Sequence, residues 1–175
     1  DGQTIKLLAD AVEDVTVNKS ITFDLDGKTL TNTNAGKATI SVTNGATAIV
    51  KNGSVMGGKS YYNIEVVKGS NANLTLEDVT ATAGNTGSSM IDNWGMLTIE
   101  SGTYTGGLDT VKNEPSAKLD INGGSFTLEK GSSKGFTGVV FNYGELTITG
   151  GTFIQADKNA RYGQAQVIHT DKSGS

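Results

Sequence analysis

The sequence predicts an all-β protein, a parallel β-helix of about six rungs with three short strands in each rung. The first observation behind this prediction is an internal repeat. Its clearest copies are residues 74–82 (LTLEDVTAT), 97–105 (LTIESGTYT), 119–127 (LDINGGSFT) and 146–154 (LTITGGTFI). The second is composition: glycine (24 residues), threonine (23) and asparagine (14) make up a large share of the 175 residues. These residue types favour strands and tight turns over helices.

The repeat defines the parts of one rung. Weaker copies at 23–31 and 48–56 extend it toward the N-terminus, and successive copies start 22 to 27 residues apart. A motif with an apolar residue followed two positions later by asparagine, as in 91–93 and 140–142, recurs in phase with it. Each rung therefore reads as a strand, a glycine-rich corner, a second strand, a variable loop, a third strand and a turn. A period near 25 residues with alternating apolar residues is typical of a solenoid.

Aligning the copies predicts four stacks of inward side chains. They are Phe23/Ala48/Leu74/Leu97/Leu119/Leu146, Leu25/Val50/Leu76/Ile99/Ile121/Ile148, Leu30/Val55/Ala81/Tyr104/Phe126/Phe153 and Val42/Val66/Ile91/Val111/Val140/Val167. The asparagines of the turns are interpreted as an internal ladder that satisfies backbone groups. They are Asn44, Asn93, Asn113 and Asn142.

Residues 1–22 do not match the repeat and are expected to form a partial turn that caps the first rung. We predict one β-helix domain over residues 1–175, with rungs at 23–170 and a tail at 171–175. Because no capping segment follows the last predicted strand, we expect the chain to be a module of a larger secreted protein.

Charge and composition argue against several classes of partner. The formal net charge is −4 and no cluster of lysine and arginine exceeds two residues, so a nucleic-acid partner is not expected. The absence of cysteine excludes disulfides and thiolate-ligated metal sites. No apolar run approaches 18 residues, so no membrane-spanning segment is predicted.

The N-terminal stretch at 4–10 (TIKLLAD) and 15–30 (VTVNKSITFDLDGKTL) resembles the first turns of the right-handed parallel β-helix (pectin-lyase-like) superfamily of secreted bacterial proteins. The resemblance covers nearly the whole chain and implies a right-handed coil and an extracellular location. It is specific for fold and not for function, because the superfamily includes lyases, hydrolases, adhesins and binding modules. In size and architecture the chain is similar to β-helical carbohydrate-binding modules attached to gut-bacterial xylanases, which implies a covalently linked catalytic domain.

The chain departs from the catalytic members of this superfamily. Its only histidine is His169 and its only arginine is Arg161, and no aspartate pair recurs on neighbouring rungs. Glu77 and Glu100 share one position on adjacent rungs, and we interpret them as solvated charges. We therefore expect no catalytic residue and no cofactor, and no motif supports a Ca²⁺ site. A polysaccharide lyase or glycoside hydrolase is the less favoured alternative.

The alignment also predicts a binding surface. In the position after the turn asparagine it places Gly45, Gly69, Trp94, Glu114, Tyr143 and Thr170, and in the outward strand position beside it Thr43, Val67, Asp92, Lys112, Phe141 and Ile168. Trp94 and Tyr143 are then two rungs apart, roughly 9.6 Å at about 4.8 Å per rung. That spacing is close to two sugars of an extended β-1,4-linked chain. Rings pack on the apolar faces of pyranoses, and the charged groups between them bind hydroxyls.

The variable loops add Tyr61, Tyr62 and Tyr162 to the candidate binding residues, because long loops on one side of a solenoid often form its binding face. Local packing of Trp94 and Tyr143 on Met90 and Phe141 is the alternative interpretation. We expect a non-catalytic, monomeric module that binds plant cell-wall polysaccharide, with xylan as the first choice. The competing hypothesis is a structural or adhesive segment of a bacterial surface protein.

Overall fold

The chain coils into a parallel β-solenoid. The computed structural model describes residues 2–131, 135–157 and 166–171. The described residues form nineteen strands and no helix. In chain order the strands are β1 (Gln3–Lys6), β2 (Ala11–Val12), β3 (Val15–Val17), β4 (Ile21–Asp24), β5 (Thr29–Thr31), β6 (Ile40–Val42), β7 (Thr47–Met56), β8 (Ile64–Val66), β9 (Asn73–Thr82), β10 (Ile91–Asn93), β11 (Met96–Ile99), β12 (Gly102–Thr105), β13 (Val111–Asn113), β14 (Lys118–Ile121), β15 (Ser125–Leu128), β16 (Gly138–Asn142), β17 (Glu145–Ile148), β18 (Thr152–Gln155) and β19 (Gln166–Thr170).

The strands stack on three faces, and each strand pairs in parallel with the strand one turn away. Face 1 consists of β1, β4, β7, β9, β11, β14 and β17. Face 2 consists of β2, β5, the second halves of β7 and β9, and then β12, β15 and β18. Face 3 consists of β3, β6, β8, β10, β13, β16 and β19. The coil makes about six turns, which confirms the predicted parallel β-helix.

The interior is a set of apolar stacks that run along the axis. On face 2 the predicted stack that contains Tyr104, Phe126 and Phe153 is confirmed by the strand register. Tyr104 and Phe126 are fully buried, and the ring centroids are 4.9 Å (Tyr104–Phe126) and 5.0 Å (Phe126–Phe153) apart. These distances match the spacing of neighbouring strands, so each ring packs on the ring of the next turn.

Two predicted stacks on face 1 are wrong at their first members. Ile21, not Phe23, pairs with Ala48, and Phe23, not Leu25, pairs with Val50. The reason is the corner: β4 ends at Asp24, and Leu25 lies in a longer turn in which the Lys28 amide donates to the Leu25 carbonyl at 2.8 Å. A longer corner moves the preceding strand by two residues relative to the later repeats.

The predicted register of face 3 is wrong at both ends. Ile64, not Val66, pairs with Ile91, and Val66 lies opposite Asn93. One turn earlier, Ile40 pairs with Ile64 and Val42 with Val66. At the other end Ile168, not Val167, pairs with Val140.

The early turns explain the shift, because Asn44 and Gly45 both adopt positive φ, 58° and 67°, in a turn that is longer than the later ones. Asn44 is exposed and its side-chain amide donates to the Asn18 carbonyl at 3.4 Å, so Asn44 does not belong to the internal ladder.

The N-terminal segment contributes one short strand to each face. β1, β2 and β3 pair with β4, β5 and β6, and β2 has only two residues. The segment predicted as a partial capping turn therefore continues the strand pairing of the solenoid over its first layer.

A glycine is required at the corner between faces 1 and 2. Gly102 has a φ of +118°, and a Cβ at this position would lie 2.2 Å from the Val79 carbonyl oxygen of the preceding turn. Such close approach of two backbones is what allows successive corners to stack at the strand spacing.

Candidate functional site

The outer surface of face 3 carries one side chain per turn in a continuous row, here called the outer row. Its members are Thr16, Ser41, Glu65, Asp92, Lys112, Phe141 and His169. Along the axis the row changes from hydroxyls to charged groups and then to aromatic rings. The predicted neighbours Thr43, Val67 and Ile168 do not belong to this row.

A second row, the turn row, follows directly after each face 3 strand. Backbone hydrogen bonds place its members at equivalent positions: the Trp94 amide donates to the Val66 carbonyl at 3.1 Å and the Tyr143 amide to the Asn113 carbonyl at 2.8 Å. The full row is Thr43, Val67, Trp94, Glu114, Tyr143 and Asp171, so the predicted members Gly45, Gly69 and Thr170 are corrected. Trp94 and Tyr143 are two turns apart, roughly 9.6 Å at about 4.8 Å per turn.

An asparagine ladder fixes the backbone beneath these two rows. The Asn93 side-chain amide donates to Asn113 Oδ1 at 2.7 Å, and the Asn113 amide donates to Asn142 Oδ1 at 2.7 Å. Asn93 Oδ1 also accepts a hydrogen bond from the Gly95 amide at 3.1 Å. All three side chains are buried, so the ladder predicted at these positions holds the tight turns that present Trp94 and Tyr143.

Asp92 is the most unusual charged group of the face. The residue is 1% exposed; Oδ2 accepts a hydrogen bond from Trp94 Nε1 at 2.8 Å, and Oδ1 has no hydrogen-bond partner among the residues that the structure describes. The pKa of Asp92 is raised to about 7, first by burial and then by the Glu114 carboxylate, while Lys112 and the Trp94 hydrogen bond act in the opposite direction. A free carboxylate oxygen therefore lies in the interior of the surface cluster.

The Trp94 ring is held by polar groups on two sides. Besides the bond to Asp92, the Lys68 ammonium lies 4.0 Å from the ring centroid. A cation at this distance is attracted by the ring quadrupole. Local contacts with Asp92 and Lys68 thus orient the indole, as the local-packing alternative requires. The Tyr143 ring packs on Phe141, as the same alternative expects.

Lys112 links the charged and aromatic parts of the face. Its ammonium lies 2.5 Å from Glu114 Oε1 and 5.8 Å from the Tyr143 ring centroid. Burial opposes the charged form of Lys112, but the carboxylates of Glu114, Asp92 and Asp109 together outweigh it, and the pKa of Lys112 is raised. The pair therefore places one donor and one acceptor between the Trp94 and Tyr143 rings.

Aromatic rings continue to the last turn. Phe141 contacts Tyr143 with ring centroids 5.0 Å apart and His169 with centroids 4.4 Å apart, and the exposed Phe136 stacks on His169 at 5.4 Å. The alignment of the internal repeats did not place His169 on this surface. The correct register of β19, one residue later than predicted, would have revealed it.

The loop before β8 places two tyrosines beside the same face. The Tyr61 and Tyr62 ring centroids are 4.6 Å apart. Burial raises the pKa of Tyr62, and the negative charge of Asp92 acts in the same direction. Tyr162, the third loop residue predicted to bind, lies outside the described residues.

Eight of the nine predicted binding residues therefore lie on or beside face 3: the outer row supplies Asp92, Lys112 and Phe141, the turn row supplies Trp94, Glu114 and Tyr143, and the loop supplies Tyr61 and Tyr62. Within the described ranges no group of three or more histidine, cysteine, aspartate or glutamate residues is arranged to hold a metal ion. The same ranges contain no helix that could cross a membrane.

Comparison with protein-family models, curated proteins and solved structures finds no match to this chain.

Proposed function

We propose that this protein is a non-catalytic carbohydrate-binding module that recognises neutral plant cell-wall polysaccharide, with xylan as the first candidate. The polysaccharide would lie along face 3, parallel to the solenoid axis. As part of the same proposal, the module is secreted, acts as a monomer and is linked to a glycoside hydrolase.

One observation carries the proposal: rings and hydrogen-bonding groups alternate along a single face. Trp94 and Tyr143 lie two turns apart in the turn row, and the Lys112–Glu114 pair lies between them. Rings offer apolar surface to the C–H faces of pyranoses, and a charged donor and acceptor form strong hydrogen bonds with hydroxyls. Lys68 covers one side of the Trp94 ring, so sugar contact is proposed for its remaining surface.

The charges of the face support a neutral ligand. Glu65, Asp92 and Glu114 lie close together, and Lys112 is already paired with Glu114. An acidic polysaccharide would bring carboxylates next to carboxylates, which is unfavourable at short range. Xylan and mixed-linkage glucan have backbones without that repulsion.

Affinity electrophoresis tests the proposal directly. The purified chain is run through gels that contain xylan, mixed-linkage glucan, soluble cellulose or pectin, alongside Trp94→Ala and Tyr143→Ala. We expect retardation in a neutral polysaccharide and its loss in both variants. Trp94→Phe and Tyr143→Phe keep a ring, so they should retain part of the retardation.

Two variants on other faces serve as matched controls. Met96 on face 1 is 50% exposed and Ile154 on face 2 is 44% exposed, so Met96→Ala and Ile154→Ala remove apolar surface outside the proposed site. Both should migrate like the parent chain in every gel. Absence of retardation of the parent chain in all four gels would contradict the proposal and favour the structural or adhesive segment.

A further inference from the structure

A small cavity opens at the N-terminal end of face 3, outside the Trp94–Tyr143 surface. Its volume is about 120 Å³. It lies between the loop that carries Tyr61 and Tyr62, residues 57–63, and the first three strands of the face, β3, β6 and β8. The side chains that matter for its chemistry are Asp14, Thr16, Lys37, Ser41, Tyr61 and Glu65. Thr16, Ser41 and Glu65 are the first three members of the outer row, so the cavity is continuous with the proposed binding face.

Tyr61 forms the aromatic wall of this cavity in an uncommon backbone conformation. Its φ is +80°, whereas the other described non-glycine residues with positive φ are asparagine, aspartate or serine. A residue with a large side chain rarely adopts this conformation unless the surroundings enforce it, and such residues cluster at functional sites. The residue is 38% exposed, so part of its surface is accessible.

The next turn of the solenoid enforces this conformation from behind. The Asn85 side-chain amide donates to the carbonyls of Gly58 and Tyr61, both at 3.0 Å. The Asn63 side-chain amide donates to the carbonyls of Val55 and Thr82, at 3.1 Å and 2.7 Å. Both ends of the loop are thus tied to neighbouring backbone, which holds the Tyr61 backbone beside the cavity.

The polar wall opposite Tyr61 offers both donors and acceptors. Glu65 is half-buried; burial raises its pKa, and a hydrogen bond with Ser41 acts against that rise. Asp14 already accepts hydrogen bonds from the Thr33 amide, at 2.9 Å, and from the Thr33 hydroxyl. Thr16, Lys37 and the hydrogen-bonded pair of Ser41 and Glu65 are then the groups that could meet a ligand's hydroxyls.

The register of face 3 gives the distance from the cavity to the aromatic end. Ser41, Glu65, Asp92, Lys112 and Phe141 are consecutive members of the outer row, so four strand spacings separate Ser41 from Phe141. Four spacings amount to roughly 19 Å. By the same measure, this is twice the distance between Trp94 and Tyr143.

We propose that the Tyr61 cavity is a second sugar subsite, which binds one neutral pyranose of the same chain against the Tyr61 ring. The inference rests on the proposed function and lengthens its site from about two sugars to about four or five. Two carboxylates and one ammonium line the cavity, so a sugar without a carboxylate is favoured there.

Calorimetric titration with xylo-oligosaccharides of two to six sugars tests this subsite. For the parent chain we expect affinity to rise with each added sugar up to four or five and then to level off. Tyr61→Gly removes the ring, keeps the Tyr61 carbonyl that accepts from Asn85, and suits a φ of +80°. It should weaken binding of the hexasaccharide roughly three- to tenfold and leave the di- and trisaccharide unchanged.

Tyr61→Phe keeps the ring and is the matched control, and it should retain most of the gain from length. Trp94→Ala should weaken every oligosaccharide, because it alters the part of the site that all lengths share. Hexagalacturonate, the acidic probe, should not bind.

The possible failures are distinguishable. Binding that levels off at three sugars, or that Tyr61→Gly leaves unchanged, would overturn the second subsite while the proposed function stands. Binding of hexagalacturonate in preference to xylohexaose would overturn the assignment to a neutral sugar. Absence of binding at every length would overturn both proposals.

Discussion

The interior of faces 1 and 2 and the outer surface of face 3 come from the same repeat but follow different rules. In the interior, one residue type recurs from turn to turn, as Leu74, Leu97 and Leu119 do on face 1. In the outer row of face 3, each turn carries a different side chain, such as Asp92 beside Lys112. Stacking requires regularity only inside the coil, so the outer row can vary without loss of the fold.

The interior should be the more sensitive region, and Phe126→Ala should have the largest effect. Phe126 is fully buried between the rings of Tyr104 and Phe153, so its removal leaves a cavity that the stacked turns cannot close. We expect a loss of about 3–5 kcal/mol in the free energy of unfolding. Chemical denaturation measures it.

Phe136→Ala is the matched control for that measurement. Phe136 is 61% exposed, so its truncation should change stability by less than about 1 kcal/mol. Equal losses for the two phenylalanines would contradict the contrast between interior and surface.

Asp92 is the exception on the outer face, because it is buried there without a full set of partners. Its folded-state pKa of about 7 lies above the value of about 4 expected in the unfolded chain. Between these two pH values, folded Asp92 keeps a proton that the unfolded chain has already released. The free energy of unfolding should therefore fall as the pH rises through this range, by on the order of 4 kcal/mol, and become level above it.

Asp92→Asn should flatten this pH dependence, since the amide does not titrate. Asp109 is also buried, with a pKa raised by burial to about 6, so some dependence below pH 6 should remain in the variant. Asp120→Asn, on the outside of face 1, is the control. If the free energy of unfolding changes with pH in the same way for the parent chain and for Asp92→Asn from pH 4 to 8, Asp92 is ionised throughout that range and the prediction is wrong.

The asparagine ladder should be intermediate in its sensitivity to mutation, because its side chains are buried like the interior but polar like the outer surface. Asn113→Ala removes the donor to Asn142 Oδ1 and the acceptor of the Asn93 amide, and we expect a loss of about 1–3 kcal/mol. Asn113→Asp has nearly the same shape but cannot donate, so it should cost at least as much. Asn73→Ala, at an exposed asparagine contact on face 1, should have a much smaller effect when all three are compared by thermal unfolding.

The smallest effect is expected for the outward positions of face 1. Met96 is 50% exposed, and Met96→Ala should change the free energy of unfolding by less than about 0.5 kcal/mol. A larger loss, measured by the same denaturation curves, would mean that the outer side of face 1 is covered by a contact with another part of the protein.

The same contrast explains which features the sequence could predict. The period and the face 2 stack of Tyr104, Phe126 and Phe153 were predictable because the interior repeats its residue types. The positions of Phe23 and Val66 could not be predicted. A longer corner or turn shifts the strand by two residues, and because side chains alternate with a period of two, the pattern of apolar residues looks the same before and after the shift.

The candidate site shows the same limit. Trp94, Glu114 and Tyr143 were placed in one row because the later turns share their asparagine. Glu65 and His169 were missed because register errors moved them out of the outer row. The Tyr61 cavity depends on a loop conformation and on hydrogen bonds from Asn85, a residue 24 positions away, which no local pattern encodes.

The ladder also has a direction, and that direction limits how the protein can change length. Asn93 donates to Asn113 and Asn113 donates to Asn142, so the side-chain dipoles point the same way and hydrogen bonds in such a chain polarise one another. One turn before Asn93, the equivalent position holds Val66, so the chain of amides starts at Asn93. A duplicated copy of residues 94–113 would bring its own amide and add one link. A copy of an early, valine-bearing turn inserted at the same place would split the chain of amides in two.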